Sequence, residues 1–169
     1  MTQKRIFIVN GAPMSGKTTF EQIGQEILGR ERCDIMSIID SIKEIARSCG
    51  WRDTKGPEDR RLLSDLKDAL DRWNQYSIKK IEEAIDKSAA DVIFVDCREP
   101  YDIRELVDYY GDQVKTILIT AAGRLEKIAP SNHADANVED YAYDYVIENN
   151  GTYSDLRDSV ETFFNAENI

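Results

Sequence analysis

Residues 11–19 read Gly11-Ala12-Pro13-Met14-Ser15-Gly16-Lys17-Thr18-Thr19 and satisfy the pattern G-x-x-x-x-G-K-[ST] in full. An apolar run, Ile6-Phe7-Ile8-Val9, precedes them, and a helical pattern with Phe20, Ile23 and Ile27 on one face follows. Strand, glycine loop and helix start are the context that a phosphate-binding P-loop requires. Gly11 and Gly16 let the chain curl so that successive N–H groups point inward. With the positive end of the new helix they form an anion cradle. Met14, Ser15, Gly16 and Thr19 would contribute backbone to it. Lys17 would reach the β- and γ-phosphates of a nucleoside triphosphate, and the Thr18 hydroxyl would hold Mg²⁺.

Other residues have the types to complete such a site. Asp96 closes the apolar run Val92-Ile93-Phe94-Val95. It can take metal or orient an acceptor, or it can simply cap the next helix. Arg98 stands two residues on, which puts it on the same side of an extended strand end as Asp96. An acid for metal beside a guanidinium fork for phosphate is a sensible pair, and a surface ion pair with Glu99 or Asp102 is the plainer alternative. Of Arg60 and Arg61, neighbours about 100° apart on a helix, one is expected to face the cleft. Asp40 and Lys43 stand where an acceptor would enter, or serve as a cap and a solvated cation. Arg124 and Lys127 lie in a stretch without periodicity, residues 121–138, which reads as a lid whose cation would neutralise charge in the transition state. His133, the single histidine, lies in that stretch and suits a phosphate or a structural hydrogen bond. No Cys/His spacing fits zinc.

These residues need a frame. Strands are expected at 6–10, Cys33 to Ile39, Asp91 to Asp96, Val114 to Thr120 and Tyr143 to Ile147. Helical patterns fall between them, and Thr152-x-x-Asp155 caps a final helix with Leu156, Val160, Phe163 and Phe164 inward. The segment Glu58 to Ser88 is long for one helix and should break near Asn74-Gln75, with Leu62, Leu66, Trp73, Ile81 and Ile85 as core. Alternating strands and helices imply a three-layer α/β/α P-loop fold on a five-stranded parallel sheet, as one domain. Ligands in such sheets sit beyond the carboxyl ends of the strands, where Asn10, Asp40, Asp96 and Thr120 fall.

Composition limits the partners. The 169 residues are 41% hydrophobic and 32% charged, with a net charge of −10. That charge argues against a stable nucleic-acid complex but not against a local cationic pocket. No apolar run approaches the ~20 residues of a membrane span, and no signal peptide is read, so a cytoplasmic protein without membrane association is expected. Cys33, Cys49 and Cys97 read as buried reduced thiols. A homodimer is left open.

No N-K-x-D segment for reading guanine occurs, and Asp108-Tyr109-Tyr110-Gly111 matches D-x-x-G only inside a helix. A small-molecule kinase explains more than a GTPase or an assembly ATPase does. In its order of elements (Gly11 to Thr18, Asp40-Ser41-Ile42-Lys43, Arg60-Arg61-Leu62-Leu63-Ser64-Asp65, Val95-Asp96-Cys97-Arg98-Glu99-Pro100, Ser131-Asn132-His133 and Asp144 to Thr152), the chain resembles the nucleoside monophosphate kinase group. Within that group it is most similar to the deoxynucleoside monophosphate kinases of bacteriophages and bacteria, which are related to animal-type phosphomevalonate kinases. The resemblance implies Mg²⁺-dependent phosphoryl transfer from ATP to a (deoxy)nucleoside monophosphate. It places the Asn149-Asn150-Gly151-Thr152 turn near the donor base, Arg98 on the acceptor phosphate and residues 121–138 as the lid. It puts the acceptor-binding segment at about 40–88. A phosphate monoester, with a second pKa near ~6, is already anionic at neutral pH and needs positioning cations. A hydroxyl acceptor would need a carboxylate base, and Asp40 or Asp96 could serve. A nucleotide-binding protein without turnover is the third reading.

Overall fold

The computed structural model describes residues 4–54, 56–121, 123, 138 and 140–169. Five parallel strands form one sheet: β1 (Arg5–Asn10), β2 (Cys33–Ser37), β3 (Val92–Asp96), β4 (Val114–Thr120) and β5 (Tyr145–Glu148), in the order β2-β3-β1-β4-β5. Register runs from Val9 opposite Asp96 on one side of β1 to Asn10 opposite Leu118 on the other. The helices are α1 (Lys17–Leu28), α2 (Asp40–Ser48), α3 (Pro57–Asn74), α4 (Tyr76–Lys87), α5 (Pro100–Tyr110) and α6 (Tyr153–Glu167). The three-layer α/β fold expected of the sequence is therefore present.

Alternation along the buried strands builds two cores. Ile6, Ile8, Ile93 and Val95 face one side, where Ile78, Ile81 and Ile85 of α4 and Ile103 and Leu106 of α5 cover them. Phe7, Val9, Phe94, Ile117 and Ile119 face the other, against Phe20 and Ile23 of α1 and Leu156, Val160, Phe163 and Phe164 of α6. That second core is aromatic: Phe94 lies 5.7 Å from Phe7 and 5.9 Å from Phe20, centroid to centroid. The Thr152 hydroxyl caps α6 by accepting from the Asp155 amide, and the Asp155 carboxylate accepts in return from the Thr152 amide at 2.6 Å.

The long helical segment breaks where expected, at Gln75, whose φ of 56° is left-handed. Its first half departs from expectation. α3 buries no residue fully, and Trp73 is 76% exposed. The isoleucines of α4 cover the sheet instead, and α3 is displaced over the carboxyl ends of the strands, where one of its faces borders a cavity. Cys49 is exposed, unlike Cys33 and Cys97, because it lies at the open end of α2. Asp40 does not cap α2 with its side chain. Its carboxylate accepts from the Ser37 amide at 2.7 Å and ties off β2.

Gly24 marks the closest approach of α1 to the sheet. A Cβ there would come 2.7 Å from Cε2 of Phe94. That ring is held on several sides by other aromatic rings and cannot retreat. Gly24→Ala should therefore lose more through overpacking, about 1–3 kcal/mol, than the ~1 kcal/mol that helix propensity returns. A lowered urea midpoint at unchanged slope is the expected result.

Candidate functional site

The site lies where the sheet's connections diverge. α1 leaves β1 toward the aromatic core, while α5 leaves the adjacent β3 toward the opposite face. The two turns part and open a crevice at the strand ends, the usual ligand position in such sheets. The P-loop follows β1, and Asp96-Cys97-Arg98 follows β3.

The loop has the backbone its motif requires. Gly16 stands at the N-cap of α1 with a φ of 104°, and a Cβ there would strike the Asn149 side chain. A Cβ on Gly11 would strike the Ile119 carbonyl and the Ser15 hydroxyl. Lys17 is buried, and its ammonium donates to the Gly11 carbonyl at 2.7 Å. The loop is braced from behind: Asn149 donates from Nδ2 to the Ser15 carbonyl at 2.9 Å, and its amide donates to the Thr120 carbonyl at 2.7 Å.

Two cavities meet over this loop. One, of about 760 Å³, is bounded by Met14, Gly16, Lys17, Thr18 and Thr19, with Asn149, Thr152, Tyr153 and Leu156 on its far side. The other, of about 210 Å³, has an apolar floor of Ile38, Ile39 and Leu63, with Ser37, Ser64, Lys67, Asp68, Glu99 and Asp102 around it. Pro13, Arg60, Asp96 and Arg98 line both. Asp96 has a buried Oδ1 with no hydrogen-bond partner among the described residues. A carboxylate and the Thr18 hydroxyl lining one cavity suit a hard cation. The glycine cradle suits a polyphosphate.

Polar knots place the arginine of α3. The Asp59 carboxylate accepts from Trp51 Nε1 at 2.8 Å, from the Thr54 hydroxyl at 2.5 Å and from the Gly56 amide at 3.1 Å. These bonds, the Thr54 hydroxyl foremost, hold that carboxyl below its ordinary range. They fix the start of α3 one residue before Arg60. Farther along, Lys67 lies 2.7 Å from Asp71 and 2.8 Å from Asp102, joining α3 to α5. Burial draws the Lys67 ammonium down, but Asp102 and Asp71 overcome it and hold it above its usual range.

Of the residues named from sequence, Lys17, Thr18, Asp96, Arg98, Arg60, Asn149 and Thr152 converge on the two cavities. Arg61 turns to solvent and lies 3.7 Å from Asp65, because only one of two neighbours on a helix can face the crevice. Asp40 and Lys43 lie 3.3 Å apart and line neither cavity. Gly151 packs against Asp155 rather than lining the larger cavity. Arg124, Lys127 and His133 lie outside the described residues. Gly123, from the same stretch, donates its amide to Asn150 Oδ1 at 3.0 Å.

Sequence reasoning missed three groups. Asn10 was noted only as a strand end, yet its buried side chain joins the P-loop to Arg98. Tyr153, half exposed, offers a ring to the larger cavity. Glu21, one turn beyond Lys17 on α1, is 3% exposed, and its Oε1 has no partner among the described residues. A carboxylate recurring at i+4 from the loop lysine was the available signal.

No family model matches the chain, and the comparison with curated proteins gives no match. Solved structures share the fold. An APS kinase of Mycobacterium tuberculosis superposes with a TM-score of 0.50 at 11% identity, covering 98% of this chain and 99% of that one. TT1252 from Thermus thermophilus gives 0.54 at 15%, covering 97% and 98%. A shikimate kinase from Aquifex aeolicus gives 0.51 at 11%, covering 95% and 98%.

Burial, and then the negative charge of Asp96, push the Glu21 carboxyl up to about 8, with Lys17 opposing and Asp40 adding. The unfolded chain releases this proton near ~4.3, whereas the folded chain keeps it to higher pH. Stability should therefore fall as pH rises between these values, at a limiting slope of about 1.4 kcal/mol per pH unit. Urea titrations of the ligand-free protein from pH 5 to 8 should show the decline, and Glu21→Gln should flatten it.

Proposed function

We propose that the chain is an ATP- and Mg²⁺-dependent phosphotransferase whose acceptor is a (deoxy)nucleoside monophosphate. The observation that carries this reading is the shared wall: Arg60, Asp96 and Arg98 border both the P-loop cavity and the apolar-floored cavity beside it. A nucleotide with its phosphates on the loop would present the γ-phosphoryl group at that wall. An acceptor in the smaller cavity would meet it there. That cavity, at about 210 Å³, falls below the ~300–1,000 Å³ of sites for drug-sized ligands. It takes a small acceptor and lets one ring lie on Ile38, Ile39 and Leu63.

The roles follow from charge. Lys17 neutralises the donor's β- and γ-phosphates. Arg98 and Arg60 hold an anionic acceptor against the transferring group. In-line transfer between two phosphates needs this positioning and neutralisation more than it needs a base. Thr18 and Asp96 are the residues to hold Mg²⁺, which when bound draws charge off the donor phosphates. Asn149, Thr152 and Tyr153 flank the donor's nucleoside end. Residues 121–138, carrying Arg124, Lys127 and His133, would close over the phosphates.

A hydroxyl acceptor is the second reading. Asp96, on the shared wall, would be the carboxylate to accept a proton from such an acceptor. The solved structures alike in fold include kinases named for APS and for shikimate, so the fold leaves the acceptor open.

An ADP-release assay across all NMPs, dNMPs and hydroxyl acceptors decides between the two. Stimulation by one or more monophosphates is expected, and stimulation by hydroxyl acceptors alone would reject the nucleotide. Lys17→Ala should lose roughly 10²–10³-fold in turnover while staying folded. Arg98→Ala should raise the acceptor KM about 10–100-fold, the worth of a charged hydrogen bond, and leave the KM for ATP within a few-fold. The opposite pattern would move Arg98 to the donor.

A further inference from the structure

Among the buried carboxylates, Glu21 has no structural task. It sits on α1 three residues after Thr18 and four after Lys17, hence on the same face of the helix. Its neighbours Phe20 and Ile23 are spent on the aromatic core. Glu21 is equally buried but makes no hydrogen bond or ion pair among the described residues, and its Oε1 is orphaned. Asp96, at the end of β3, is near enough for its charge to bear on Glu21, and its Oδ1 is orphaned too. A buried carboxyl group with an unsatisfied oxygen, close to a second carboxylate, is a costly arrangement for a fold that could have used glutamine or leucine at 21.

We infer that Glu21 is a positioning residue of the cation site, a buried carboxyl group behind Thr18 and Asp96 that orients them for the divalent ion bound with the nucleotide. The inference rests on the reading of the loop as an Mg²⁺–nucleotide site and adds a residue that the loop motif does not contain. The assignment does not make Glu21 a direct ligand. Thr18 and Asp96 border the larger cavity, whereas Glu21 does not, so its carboxylate acts from behind them. Outer groups of this kind orient the ligands in front of them, and losing one weakens metal binding about 10–100-fold.

The test is Mn²⁺ binding, read from the free-ion electron paramagnetic resonance signal, to the full chain saturated with ADP. ADP affinity in EDTA and thermal melting of the ligand-free protein are measured alongside. Glu21→Gln should weaken Mn²⁺ in the ADP complex by about tenfold or more. It should leave ADP affinity in EDTA unchanged and leave the melting temperature equal or higher. Glu21→Asp, which keeps a carboxyl group, should recover part of the Mn²⁺ affinity. Unaltered Mn²⁺ affinity in a folded Glu21→Gln protein overturns the inference alone. So does an equal loss of ADP affinity in EDTA, or a marked fall in melting temperature, since each assigns Glu21 to the loop's structure. Failure of the unmodified chain to bind Mn²⁺ with ADP overturns both the inference and the reading on which it rests.

Discussion

The side chain of Asn10 fixes the distance between the two halves of the site. It is fully buried at the end of the central strand. Its Oδ1 accepts from the Gly11 amide at 2.7 Å, the first donor of the P-loop. Its Nδ2 donates to the Arg98 carbonyl at 3.0 Å and to the Tyr143 hydroxyl at 2.7 Å. Tyr143 in turn donates to the Val138 carbonyl at 2.7 Å. One amide thus ties the phosphate loop, the turn carrying Arg98 and the end of the 121–138 segment to a single point. Both polar ends of the amide are satisfied away from water, so the arrangement resists slippage. Transfer between two bound groups depends on a gap of a few ångströms, and a rigid clamp of this kind keeps it.

Part of the polar discomfort of the fold lies near the same point. Ser15 Oγ, Glu21 Oε1 and Asp96 Oδ1 are orphaned and buried around the loop, and Met14 holds a left-handed φ of 64°. The sheet beneath is a plain apolar core with few such exceptions. Strain and unsatisfied groups are common around working sites, although Ser41 Oγ and Asn74 Oδ1 are orphaned too and Asp53, Gln75 and Asn168 share the left-handed backbone. Function and stability therefore pull Glu21 in opposite directions. The carboxylate that serves a bound cation is a burden to the empty protein.

Much of this was legible in the sequence, because the signals were local. Apolar runs gave the strands, the glycine loop announced its own geometry, and the two-residue step from Asp96 to Arg98 placed both on one side. What escaped was the work of side chains across distant elements. Trp73 fits the helical stripe of α3, but periodicity cannot tell a face on the core from a face turned to solvent. Asn10 looks like any polar strand end until β3 is set beside β1. Glu21 looks like an ordinary charge on an amphipathic helix, since burial at that position depends on the strand ends above which α1 starts.

The attachment of α3 differs in kind from that of the sheet. A helix that buries no side chain fully gains little from area, so its position is set by direction. The Asp59 knot holds its first turn. The Lys67–Asp71–Asp102 group and the Asp71 bonds to Ser77 hold its last turns, with Ser77 Oγ 2.6 Å from Asp71. Such bonds specify orientation strongly but anchor weakly compared with a packed face. Arg60 is thus carried on the least deeply seated helix in the site, while Arg98 is clamped by Asn10 to the central strand. The two arginines share a wall but not a support. Arg98 supplies the fixed side of that wall and Arg60 the adjustable one.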